Sequence, residues 1–275
     1  MNKTRAEHLP IEKLRPFKDH PFKVADNEEM DQLVESIVAQ GVLTPLVIRP
    51  LENGEYEVIS GHRRLHACKK AGIETGPALV MDMDRDAAAI ALVDSNLHRE
   101  HILPSEKAFA YKLKMDAIKH QGLTCGQVGH KSRDTLSEGE SGRQVQRYIR
   151  LTNLILGILQ MVDDGRIALT PAVEISYLTN REQWELLETM ECEACTPSLS
   201  QAIQLKLLSQ SGNLDIYTIF DILTQRKPNQ QEKISFRTED VRKFIPKSYT
   251  TAQMQDVILR LLEGYQRQRQ RSQER

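Results

Sequence analysis

The strongest chemical signal in the chain is Ile59-Ser60-Gly61-His62-Arg63-Arg64. A β-rich run gives way there to a helical pattern, and the first turn of a helix offers free backbone N–H groups and a positive dipole end to an anion. Gly61 lets a phosphate approach the backbone, and Arg63 and Arg64 can add charge-assisted bonds. A second cluster, Asp94-Ser95-Asn96-Leu97-His98-Arg99-Glu100, is predicted to lie just before the next helix. Its amide and carboxylate suit Mg²⁺, and Arg99 suits phosphate. A third, Ser141 to Leu151, carries Arg143, Arg147 and Arg150 at i, i+4 and i+7, hence on one helical face. Val145, Ile149 and Tyr148 face a core, and Gln144 and Gln146 can read base edges or phosphates. With the turn Glu138-Gly139-Glu140 before it, this reads as the second helix of a helix-turn-helix. Each cluster has a plainer reading: solvated arginines at a helix start, a polar loop with incidental ion pairs, and an exposed amphipathic helix.

The remaining residues narrow the classes. The chain has 275 residues, with 37 Lys+Arg against 38 Asp+Glu and a formal charge of -1. That excludes a uniformly basic nucleic-acid coat, but local arginine clusters can still bind DNA. The N-terminus lacks the apolar run of a signal peptide, and the longest apolar stretch, 153–162, is too short for a bilayer. A cytoplasmic, nucleoid- or plasmid-associated protein with no membrane partner is expected. Cys68 and Cys125 stand alone. Cys192 and Cys195 form one CxxC in an acidic linker, with no second pair for zinc and no βα unit for redox chemistry, so reduced thiols are expected.

The elements that must position these residues are legible in part. Asp26 with Glu29 reads as an N-cap and capping box for a helix through Met30, Leu33, Val34, Ile37 and Val38, ended by Gly41. Residues 42–48 read as a strand, with Pro45 at its start or edge. Asn53-Gly54 turns the chain into a return strand at 56–59. Helices are predicted at 62–71, 86–93 and 104–121, and a strand at 78–83. Further helices are expected at 132–136, 141–151 and around 151–162, from Pro171, around Trp184, Leu187 and Met190, at 198–209, and at 251–265. The predicted architecture is an α+β N-terminal domain over 1–100, an all-α helix-turn-helix domain over 101–179, and a mainly helical C-terminal region over 180–275.

In this order the elements resemble the ParB family of chromosome and plasmid partition proteins. The resemblance covers about 9–178. It rests on Leu14-Arg15-Pro16-Phe17, Gly41-Val42-Leu43-Thr44-Pro45-Leu46, Gly61-His62-Arg63-Arg64-Leu65-His66-Ala67, and Ser95-Asn96-Leu97-His98-Arg99-Glu100 followed by Pro104. It implies an N-terminal domain of ParB/sulfiredoxin-like fold that binds and hydrolyses CTP with Mg²⁺, closing two protomers into a clamp on double-stranded DNA. Carried over by residue, it implies a nucleotide site of Thr44, Gly61, His62, Arg63, Arg64, Ser95, Asn96 and Arg99, with Asn96 helping to hold Mg²⁺. It implies DNA contacts from Arg143, Gln144, Gln146, Arg147 and Arg150, a homodimer held by the C-terminal region, and a ParA-type ATPase partner.

Two positions depart from the family pattern: His62 and Ser95 each stand where Glu is usual. A hydroxyl neither neutralises nor orients Mg²⁺ as a carboxylate does, so the departure bears on CTP hydrolysis more than on binding. The catalytic residues stay unassigned, and hydrolysis stays open. Two other classes stay open as well: a DNA-binding regulator of this fold without a nucleotide switch, and a kinase-like nucleotide-using enzyme of the sulfiredoxin-like fold. In sulfiredoxin a catalytic cysteine precedes the His-Arg pair, and here that position is Gly61. Arginines of the tail, Arg267, Arg269, Arg271 and Arg275, could add nonspecific DNA contacts.

Overall fold

The computed structural model describes residues 4–99, 101–121, 141–224, 243–246, 249–250, 253–254 and 256–264. Contacts divide the chain into one unit over 1–225 and a second over 226–275. The predicted helix at 132–136, the turn at 138–140, Cys125 and the tail arginines lie outside the described residues.

The first unit opens on β1 (Thr4–Pro10), a short 3-10 turn (Ile11–Lys13) and β2 (Leu14–Pro16). Then come α1 (Glu28–Gln40), β3 (Leu46–Pro50), β4 (Tyr56–Ser60), α2 (His62–Lys70) and β5 (Thr75–Met81). The strands form one mixed sheet in the order β1-β5-β3-β4-β2. β3 pairs antiparallel with β4 across the Asn53-Gly54 turn and parallel with β5. Strand alternation sends side chains to two layers. Leu46, Ile48 and Val58 pack with Met30 and Ile37 of α1 and Leu65 and Cys68 of α2. Ile59 faces the other way, toward Phe17, Phe22 and the helices α3 (Arg85–Leu97) and α4 (Pro104–His120), where Ala88, Leu92, Val93 and Ala110 meet it.

Several sequence expectations shift. The N-cap of α1 is Asn27, whose side chain accepts from Met30 N at 3.1 Å. Asp26 instead meets His66 at 2.9 Å, a partner 40 residues away that no local pattern reveals. β3 starts only after Pro45, because proline lacks the N–H a ladder needs. β1 and β2 carry polar residues on edge strands and gave no alternation to find. Helix α3 runs four residues past its expected end, so Ser95 and Asn96 lie in its last turn rather than in a loop.

The helical part continues with α5 (Gly142–Arg150), a 3-10 turn (Leu151–Asn153), α6 (Leu156–Asp163), α7 (Leu169–Ile175), α8 (Asn180–Cys192), α9 (Leu199–Gln210) and α10 (Ile216–Thr224). Their apolar stripes share one cluster from Leu151 to Leu223, with Ile158, Ile175, Leu186, Met190 and Leu205 fully buried. The expected boundary at 179/180 falls inside this cluster. No sequence pattern marks α10, and in α8 Trp184 is exposed while Leu186 is fully buried.

The N-terminal layers join the helical core through buried carboxylates. Glu106 accepts from Lys23 N at 2.7 Å and from Leu103 N at 3.1 Å. Asp163 accepts from Ser105 N at 2.9 Å and Ser105 Oγ at 2.6 Å, and meets Lys23 Nζ at 3.5 Å. In the second unit, Thr250 and Gln253 form a reciprocal cap and Arg260 pairs with Asp256.

Deleting buried methylenes from the shared cluster must be felt on both sides of residue 180. Ile158→Ala is expected to cost about 2–5 kcal/mol in urea unfolding. Fluorescence of the single tryptophan, Trp184, should follow the same shifted transition as circular dichroism. A Trp184 transition left at the wild-type midpoint would show α8 folding apart from α6.

Candidate nucleotide and DNA sites

Gly61 ends β4 and caps α2 with φ +102°. A Cβ there would stand 2.6 Å from Leu46 Cδ2 and 3.1 Å from Arg64 Nη2, so both the backbone angle and the space demand glycine. Cations gather at the head of α2, where Arg63 lies in the first turn and acts on Arg99. Arg63 reaches Glu29 at 3.0 Å, an exposed pair that a better anion can replace. Arg99, just past the end of α3, lies over the Phe22 ring at 5.6 Å and makes no ion pair with a described residue. Burial lowers the Arg99 pKa, and the nearby Arg63 adds to this. Two guanidiniums with this little counter-charge favour an incoming phosphate.

The other predicted residues take different parts. Arg64 folds back, donating to the carbonyls of Thr44 and of Pro45, the latter at 2.8 Å. It thereby fixes the turn ahead of β3 and brings Thr44 to the same end of the sheet. His62 is buried, and its Nε2 accepts from Phe17 N at 3.3 Å. Burial, His20 and Arg99 push its pKa down to about 3, so it is neutral. His62 thus braces the 17–20 loop. Ser95 Oγ donates to Leu92 O at 2.9 Å, and Asn96 Nδ2 donates to the same oxygen at 2.7 Å. The amide oxygen is the part of Asn96 suited to a metal. Asp94 pairs with Lys114 at 2.6 Å.

Sequence reasoning missed His20. Its ring lies 3.7 Å from that of His62, centroid to centroid, and its Nε2 is buried without a partner. No periodicity marks it, since it sits in an irregular loop.

On the DNA-directed helix, Ser141 caps α5 and Val145 is fully buried, while Tyr148 and Ile149 pack beside it and Tyr111 of α4. Arg143 and Gln146 are exposed. Arg147 donates to Gln144 Oε1 at 3.1 Å and to Thr170 Oγ1 of α7. Arg150 departs from the expectation. It donates to Ser176 Oγ at 3.3 Å and Ser176 O at 3.0 Å, and lies over the Tyr177 ring at 3.9 Å. It locks α5 to the end of α7. Among the described residues no group of three or more His, Cys, Asp or Glu is placed to hold a metal, and Cys68, Cys192 and Cys195 form no disulfide with one another.

The family model described as ParB N-terminal domain matches residues 1–97. A probable chromosome-partitioning protein ParB of Pseudomonas putida is 31% identical over 204 residues, 74% of this chain and 67% of that protein. The chain belongs to the ParB family. A nucleoid occlusion protein of Listeria monocytogenes is 38% identical over 180 residues, 65% of this chain and 60% of that one. The aligned stretches thus span about two thirds or less of these two relatives. Among solved structures, the C-terminally truncated ParB of Caulobacter crescentus complexed to the centromeric parS site matches 80% of this chain and 100% of its own, at 21% identity and a TM-score of 0.43. Arg63 of one box and Arg99 of the other lie close enough to act on each other.

The two ends of α5 should respond differently to mutation. Arg150→Ala is expected to cost about 1–3 kcal/mol, through lost stacking and hydrogen bonds. The exposed Arg143→Ala should stay within about 0.5 kcal/mol of wild type. Urea unfolding of both variants checks this.

Proposed function

We propose that this ParB-family chain is a sequence-specific DNA-binding partition protein switched by CTP. The observation that carries the reading is the junction at Gly61, where only glycine fits, with Arg63 in the first turn of α2 and Arg99 beside it. That donor set suits a triphosphate. Gly61 admits phosphate to the backbone, the head of α2 supplies N–H donors, and Arg63 and Arg99 take phosphate oxygens. Arg64 acts through the Thr44–Pro45 turn, keeping that backbone against the site.

Mg²⁺, when bound, would neutralise phosphate charge, and the Asn96 amide oxygen is the protein group suited to hold it. Arg143, Gln144, Gln146 and Arg147 form the DNA face of α5, joined by Thr170 at the first turn of α7. Arg150 supports that face from behind. A homodimer and a ParA-type ATPase partner belong to the same reading. Exposed Leu259, Leu261 and Leu262 in the second unit fit a surface covered by another chain. No helix among the described residues is long and apolar enough to cross a membrane, which fits an association with DNA.

One observation favours a second reading, a DNA-binding regulator without turnover. Ser95 is tied to its own helix and Asp94 to Lys114, so neither Ser95 nor Asp94 supplies the carboxylate usual at position 95.

Turnover of CTP, ATP and GTP, measured with and without DNA fragments enriched by the protein itself, tests the proposal. CTP-selective binding with DNA-stimulated turnover is expected for the switch. Binding of DNA with indifference to all three nucleotides leaves the regulator. For the DNA face, Arg143→Ala with Arg147→Ala should weaken binding and flatten its dependence on salt by about two counterion equivalents. Unchanged affinity across a salt series would remove α5 from the interface.

A further inference from the structure

Tyr177, the second residue past the end of α7, collects two cations. Arg150, the last residue of α5, places its guanidinium 3.9 Å from the ring centroid, and Lys206 of α9 places Nζ 4.3 Å from the same centroid. Lys206 Nζ also pairs with Glu174 Oε2 of α7 at 2.8 Å. Ser176, which accepts the Arg150 bonds, is buried and donates its own Oγ to Val173 O at 2.7 Å.

Two cations at one ring repel each other. The ring face attracts both, and Glu174 offsets the charge of Lys206. The side chains of Lys206 and Glu174 are 25% and 22% exposed, so water screens this pair less than a fully solvated one. The cluster therefore joins three helices, α5 through Arg150, α7 through Glu174 and the residues after it, and α9 through Lys206.

α9 lies outside the helix-turn-helix pattern. It packs on α7, and its Ala202 and Leu205 belong to the same buried cluster as Ala172 and Ile175. Arg147 also reaches α7, through Thr170. α5 is thus tied to the α7 segment at two places, Thr170 and Ser176–Tyr177, and α9 holds the second.

These ties set a direction. α5 has nine residues, a length of about 13 Å. A swing of about 5° around its Arg150 end moves the Arg143 end by about 1 Å, more than the spread of a good hydrogen-bond length. Contacts to base edges have the stricter geometry, whereas contacts to phosphates carry no sequence information and tolerate the shift.

We infer that Lys206 and Tyr177 are positioning residues for DNA recognition, holding Arg150 and through it the tilt of α5 against the base edges, without touching DNA themselves. The inference rests on the DNA reading of α5 above. It makes α9, beyond residue 180, part of the unit that reads DNA.

The test uses the full chain without nucleotide. Kd is measured for DNA fragments enriched by the protein itself and for unrelated fragments of equal length, across a salt series. Lys206→Met and Tyr177→Leu are expected to weaken binding to the enriched DNA about tenfold, the effect of one impaired base contact. Binding to unrelated DNA should stay within about twofold of wild type, with the same salt slope, because no phosphate contact is lost. Tyr177→Phe keeps the ring and should keep wild-type discrimination. In an Arg150→Ala background, Lys206→Met should add nothing, because Lys206 acts through Arg150.

Equal losses on both DNAs, unchanged discrimination in Lys206→Met, or an additive effect in the Arg150→Ala background each overturn the inference. A lower salt slope in Lys206→Met also overturns it, by making Lys206 a phosphate contact. Equal affinity of the wild type for both DNAs overturns the DNA reading of α5 and this inference together. Should Tyr177→Leu fold poorly by circular dichroism, Lys206→Met and its combination with Arg150→Ala decide alone.

Discussion

A single hydrogen bond to a neutral imidazole holds the proposed nucleotide site together. His62 occupies the first position of α2, where a solvated polar residue is usual, yet it is buried and accepts from Phe17 N. A charged side chain could not sit there without a counter-ion, because desolvation would exceed what the backbone returns. The neutral ring fits because its Nε2 accepts from a backbone N–H. That bond, with Lys18 N on Glu57 and Lys23 N on Glu106, sets the course of the loop that carries Phe22 toward Arg99.

The electrostatics of the site follow from what each cation does with its counter-charge. Arg64 spends its donors on backbone carbonyls and becomes part of the frame. Arg63 keeps an exposed partner, Glu29, and Arg99 lies over the Phe22 ring with Glu106 the carboxylate that acts on it. The three arginines of α5 divide in the same manner. Arg150 is structural, Arg147 is shared between Gln144 and Thr170, and Arg143 is left in water. A run of arginines at helical spacing therefore says which face they share, and only packing against neighbours says which of them are available to a phosphate.

Much of this was legible in the sequence. The Gly61 junction, the β3–β4 hairpin, the α1 stripe and the face of α5 are local patterns, and local patterns survive folding when they agree with the tertiary context. What was not legible depends on partners far along the chain. Asn27 rather than Asp26 caps α1 because Asp26 is drawn to His66. Trp184 faces solvent because Leu186 meets the core first. The edge strands β1 and β2 take their conformation from β5 and β4 rather than from their own alternation. His20 carried no signal, because an irregular loop has no period, and its meaning comes only from the ring stacked on it.

The buried carboxylates Glu106 and Asp163 set one more property of the molecule. The stretch from Phe17 to Lys23 is fastened at one end to the head of α2 and at the other to the start of α4 and the end of α6. Seven residues tied at both ends behave as a strut rather than as a slack linker. Through these bonds one short stretch of chain touches the sheet layer at one end and the helical core at the other.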